Sequence, residues 1–137
     1  MELYDKERHN DQGDFRLTRK TGLAHFCAAF RYSMAGLRSA VRETAVRHEL
    51  YLGAVHFAAL TFVDLGWLVS LMLSAFWAFV VVAELLNTAI EAVVDLASPR
   101  YHELAGRAKD LGSAAVFLSL TIFFCSWVTA IVMLFFS

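Results

Sequence analysis

A chain of 137 residues allows one domain, and at 58% hydrophobic it is too apolar for an ordinary soluble one. The formal net charge is −1, yet nine of the twelve Lys/Arg precede Leu50 and residues 111–137 carry no charge at all. That segregation argues for a membrane and against a nucleic-acid partner.

Residues 1–21 are polar, charged and without a hydrophobic period, and are expected to form a flexible cytoplasmic tail ahead of a single domain over 22–137. From Leu23 the pattern changes. Phe26, Phe30, Met34, Leu37 and Val41 recur at helical spacing, while Arg31, Arg38 and Arg42 share another face. This predicts an amphipathic surface helix over 22–48, its apolar side in the membrane interface and its arginines reaching anionic headgroups. Glu43 and Glu49 lie on different sides of a regular helix, so the segment bends there or is shared between neighbours; solvated interface charges are the plainer reading. Cys27 and Cys125 lack metal-ligand spacing and read as small hydrophobes.

The first long apolar run begins only near Leu50, so no cleavable signal peptide is expected. Residues 50–63 are uncharged but shorter than the ~17–25 residues that usually span. Topology still predicts a crossing. Basic residues occur in the N-terminal segment and again at Arg100, Arg107 and Lys109, with none around Asp64. Both basic segments belong in the cytoplasm, so the chain must cross twice between them. The first span covers about 50–63, with His56 as a hydrogen-bonded packing residue. A second, about 66–94, has Trp67 at its outer boundary and returns to the cytoplasmic face. Ser98-Pro99 ends that helix, and Pro99 is the only proline. Residues 101–110 read as a short polar connection dense in ionisable groups. The third span covers about 111–136, and Gly112, Ser113, Ala114 and Ala115 permit close helix approach.

The second span carries the chemistry. Offsets of 3, 7 and 11 from Glu84 put Asn87, Glu91 and Asp95 within about 60° of it, on one helix face. A carboxylate deep in a hydrophobic segment costs about 2.5–3.5 kcal/mol on insertion scales, which makes this face a functional candidate before a packing device. Glu84 lies about 10 Å along the axis from Glu91. A base at the depth of a lipid hydroxyl and a carboxylate nearer water suit phosphoryl transfer. Glu91 is placed to hold Mg²⁺ on nucleotide phosphates, Glu84 to accept the hydroxyl proton, and Lys109 and Arg107 to neutralise phosphate charge. No P-loop, dinucleotide fingerprint or protein-kinase motif is present. The residues alone therefore reach a metal-capable or proton-active carboxylate site, and a proton or cation carrier would use them nearly as well.

The run Glu84-Leu-Leu-Asn-Thr-Ala-Ile-Glu-Ala-Val-Val-Asp95, followed by Tyr101-His-Glu-Leu-Ala-Gly-Arg-Ala-Lys-Asp-Leu-Gly-Ser-Ala-Ala115, closely resembles the signature of the small bacterial integral-membrane diacylglycerol kinases, much of which the undecaprenol kinases share. Arg31-Tyr-Ser-Met-Ala-Gly-Leu-Arg38 and Glu43 through Glu49 resemble the same family's surface-helix region. The resemblance implies an all-α membrane protein, three transmembrane helices behind an amphipathic surface helix in a homotrimeric bundle. It implies an ATP- and Mg²⁺-dependent kinase of the bacterial inner membrane, active at the cytoplasmic face. The acceptor the resemblance implies is diacylglycerol, with undecaprenol as the alternative. Position by position, Glu84 matches the general base and Glu43 and Glu91 the metal-binding glutamates. Tyr32, Arg100, Tyr101, His102, Lys109 and Asp110 match nucleotide-contacting positions. Arg38, Arg47, Glu49 and Ser113 match the lipid side, and Asn87 and Asp95 further polar positions. The chain departs at His25, where the diacylglycerol kinases often have arginine, at Met34 and Val41, where some have tryptophan, and between Arg38 and Glu43, where it is one residue shorter than some members.

Overall fold

A computed structural model describes residues 23–136, which leaves the expected tail outside the described residues. Four helices and no strand occur among them: α1 (Leu23–Ala40), α2 (Thr44–Phe62), α3 (Trp67–Ala97) and α4 (Glu103–Phe136). The described residues divide into two compact units, the first ending at Gly36 and the second beginning at Leu37. In the first, Phe26, Phe30 and Met34 stand exposed along α1.

The second unit corrects the expected helix limits. The surface helix does not continue to residue 48. Tight backbone bonds from Arg42 to Ser39 (3.0 Å) and Glu43 to Ala40 (2.9 Å) close α1, and Glu43 turns extended as the N-cap of α2. The acidic pair spaced by six thus straddles a break, and Arg47 to Glu49 already belong to α2. That helix of 19 residues is roughly 28 Å long, close to a hydrocarbon core, so the short uncharged run is the middle of a longer element. Gly66, with φ 73°, occupies a conformation open to glycine, and Asp64 Oδ1 accepts its N–H at 3.3 Å before α3 starts. The presumed connection over 101–110 is largely helical. His102 accepts the Leu104 N–H on Nδ1 at 3.2 Å, capping α4 so that it starts at Glu103.

α3 and α4 are long and apolar enough to cross a membrane. At roughly 46 and 51 Å they exceed a hydrocarbon core of ~30 Å, so each carries its apolar run into a polar end. They pack along each other through Leu73, Val80 and Ala83 of α3 and Ser119, Phe123 and Ala130 of α4, all buried. α2 leans on α3. It reaches α4 through His56, only 2% exposed. Trp127 Nε1 donates to His56 Nδ1 at 3.1 Å, which fixes the proton of a neutral ring on Nε2; that nitrogen lies 3.3 Å from Ser74 Oγ. Ser74 in turn donates to the Ser70 carbonyl at 2.8 Å. The expected packing histidine is therefore a three-helix junction with both nitrogens engaged.

Candidate active site

The α3 face changes character along its length. Glu84 and Asn87 are buried, whereas Glu91 and Asp95, one and two turns further on, are exposed. Asn87 bridges the two regimes, its Nδ2 donating to Glu91 Oε1 at 3.2 Å. Its position is set from α4. The place a Cβ would take at Gly112 is filled by Asn87 Oδ1, so a glycine there lets the amide lie between the helices. The small residue that sequence assigned to helix approach thus makes room for a site side chain. Asn87 Oδ1 itself is buried without a hydrogen-bond partner.

Glu49 joins this face from α2. Its backbone carbonyl accepts the Trp77 Nε1–H at 3.2 Å, and its Oε2 is the second buried oxygen without a partner. Burial, and then the charge of Glu84, push the Glu49 carboxyl above the ordinary carboxylate range, while His48 acts the other way. Such unpaired buried acceptors are costly in a pure packing device, and are what a site leaves open for a donor on its substrate.

At the polar end, Lys109 of α4 lies 2.5 Å from Asp95 Oδ1, the carboxylate exposed and the lysine partly so. Arg100, Tyr101 and His102 stand exposed just before the α4 N-terminus, where free backbone N–H groups favour anions. Asp110 and Ser113 are exposed on the first turns of that helix. The structure thus brings Glu49, Glu84, Asn87 and Glu91 together and separately pairs Asp95 with Lys109. Arg38, Glu43 and Arg47 stand exposed around the α1–α2 turn, where Arg47 donates to Thr44 Oγ1 at 3.2 Å. Tyr32 belongs to the first unit and is exposed.

Among the described residues no three His, Cys, Asp or Glu side chains form a closed metal cage. Glu91, exposed and with Oε1 oriented by Asn87, is the kind of single hard-oxygen ligand that Mg²⁺ typically takes beside phosphate oxygens and water. Sequence reasoning missed Gly53, Ser74, Trp77 and Trp127. No local spacing signals them, because Ser74 and Trp127 meet His56, and Trp77 meets Gly53, only across helices.

The family model for prokaryotic diacylglycerol kinase matches residues 31–132. A diacylglycerol kinase of Haemophilus influenzae is 41% identical over 108 residues, covering 78% of this chain and 92% of its own. The Escherichia coli (strain K12) protein of that name is 38% identical over 108 residues, 78% of this chain and 88% of its own. One from Pseudomonas aeruginosa is 38% identical over 111 residues, 80% and 90% of the two chains.

Proposed function

The chain belongs to the prokaryotic diacylglycerol kinase family, and from that premise we propose that it transfers the γ-phosphoryl group of ATP to the hydroxyl of diacylglycerol at the cytoplasmic face of the inner membrane. The observation that carries the reading is the graded burial of the α3 face, from buried Glu84 and Asn87 to exposed Glu91 and Asp95. A lipid hydroxyl reaches the first pair from the membrane and a nucleotide reaches the second from water. Glu84 takes the proton of the hydroxyl as its oxygen bonds to the γ-phosphorus and the bond to the ADP oxygen breaks.

Glu91, with Oε1 held by Asn87, and Glu43 would hold Mg²⁺, which when bound neutralises charge on the phosphates. Lys109 leaves Asp95 to meet phosphate oxygens, with Arg100, Tyr101, His102 and Asp110 around the nucleotide; Tyr32 is a further nucleotide-contacting position by family resemblance alone. Glu49, Arg38, Arg47 and Ser113 line the lipid side. α2 is the third crossing, its uncharged part in the hydrocarbon and residues 44–49 at the headgroups. α1 lies in the interface, and the protein works as a homotrimer. Purified protein given ATP, Mg²⁺ and diacylglycerol beside undecaprenol tests the assignment. Phosphatidic acid is the expected product, and phosphate on undecaprenol alone would move the chain to the other branch.

A further inference from the structure

Trp77 is the one indole of the second unit that touches the carboxylate face, and nothing in the proposed chemistry uses it. Its ring lies on α2 where Gly53 has no side chain; a Cβ there would stand 2.7 Å from Trp77 Nε1 and closer still to two ring carbons. The missing side chain at Gly53 makes the room that the indole fills. One turn before Gly53, the carbonyl of Glu49 receives the Trp77 N–H at 3.2 Å. Behind the indole stands the His56 ring, 6.4 Å away and within 19° of parallel, while Phe57 meets it edge-on at 5.2 Å. His56 is held in turn by Trp127 and Ser74. Trp77 is thus packed between Gly53 and the His56 and Phe57 rings, and its N–H meets the backbone of Glu49, whose side chain ends in an unpartnered buried oxygen near Glu84.

We propose that Trp77 is a positioning residue for the reaction: seated in the Gly53 notch, it fixes the register of α2 on α3 and so aims the Glu49 carboxyl at the lipid hydroxyl held beside Glu84. The proposal rests on the lipid-kinase reading of the Glu84 face. It assigns Trp77 a role through Glu49 and none in contact with either substrate. A shift of α2 by one residue would turn Glu49 through about 100° and take its carboxyl off the shared face, so one anchored carbonyl decides whether it participates. Interhelical hydrogen bonds in membranes are individually modest, and this one gains its effect from the ring packing that leaves the helix one register.

The test takes full-length protein in detergent–lipid micelles and measures initial rates against diacylglycerol and against ATP separately. Trp77→Phe keeps an aromatic ring and removes the N–H. It is expected to raise KM for diacylglycerol about 3–10-fold, the range one net hydrogen bond supplies, with KM for ATP unmoved. Gly53→Ala, which expels the indole while keeping it in the chain, should produce the same split. It should also move the indole ¹⁵N–¹H resonance of Trp77 while those of Trp67 and Trp127 hold. In the Trp77→Phe background Gly53→Ala should cost little more, because the smaller ring vacates the notch. A loss that appears only as lower thermal stability, or that falls equally on both KM values, overturns the positioning role. Glu84→Gln is run beside them. If it keeps wild-type turnover, the carboxylate reading has failed; if it is inactive while Trp77→Phe and Gly53→Ala show no lipid-specific change, only the present inference has.

Discussion

Replacing Gly112 by alanine separates the geometry of the site from the packing of the helices. The new methyl would occupy the position of Asn87 Oδ1, whereas the Asn87 Cα stays 3.7 Å away, an ordinary contact. The backbones of α3 and α4 therefore need not part, and the strain falls on one flexible side chain. Turning Asn87 aside breaks its 3.2 Å bond to Glu91 Oε1. A hydrogen bond to a charged group is worth about 1.5–3 kcal/mol, and the exposure of Glu91 places this one at the lower end. At roughly 1.4 kcal/mol per decade that is about a tenfold loss in kcat/KM for the nucleotide, with a stability change below about 1 kcal/mol. The assay is ADP release at varied ATP and saturating diacylglycerol, with thermal unfolding of the same preparation. Full activity in Gly112→Ala beside a crippled Asn87→Ala would refute the reasoning, because Asn87 would then act without the seat that Gly112 provides. A large fall in melting temperature would refute it differently, by showing that the methyl parts the helices.

Glu84→Gln keeps size and removes basicity, so turnover should fall about 10²–10⁴-fold with nucleotide binding intact; near-normal turnover would reduce the polar face to packing. Glu91→Gln should weaken Mg²⁺–nucleotide binding as well as turnover, with partial recovery at raised Mg²⁺; recovery of Glu84→Gln instead would reverse the two roles. Lys109→Met should raise KM for ATP while stability, measured by denaturant titration, changes by less than about 1 kcal/mol, because the Asp95 pair is exposed; a stability loss without a KM change would make the pair structural. His56→Phe strands the Trp127 N–H and removes the donor to Ser74 Oγ, which still donates its own proton to the Ser70 carbonyl. At an average near 0.6 kcal/mol per interhelical bond, and about 1.7 at most, it should cost roughly 1–3 kcal/mol in mixed-micelle unfolding, and no measurable loss would mean the junction holds nothing.

The helical class, the two long apolar helices and the polar face of α3 were legible because each is written locally. Glu84, Asn87, Glu91 and Asp95 sit at helical spacing inside an apolar run, and no tertiary information is needed to see that they share a side. The helix limits between residues 41 and 49 and over 101–110 were harder. At 41–49 the amphipathic pattern runs on across a break that Glu43 makes as the N-cap of α2, and over 101–110 charge density resembles a connection although the His102 cap lets the segment begin α4. What could not be read was the pairing across helices. Gly53 looks like any small residue and Trp77 like a lipid-facing aromatic until the two are opposed, and Gly112 signals close approach without naming Asn87 as what approaches.

On the proposed reading of α2 as a crossing, the three-helix junction also bears on how a weak span comes to serve the site. The uncharged middle of α2 is short and contains a histidine, which disfavours its insertion alone. Inside the second unit that histidine is neutral, with Trp127 on one nitrogen and Ser74 on the other, so the liability disappears only once α3 and α4 are in place. Glu49 rides on the same helix one turn ahead of Gly53, where Trp77 clasps its carbonyl. The carboxyl that α2 contributes therefore arrives near Glu84 by the same contacts that hold α2 against α3 and α4. On the proposed reading, a chain whose α2 has not docked lacks both its third crossing and its lipid-side carboxylate, and helix assembly becomes a precondition of phosphoryl transfer.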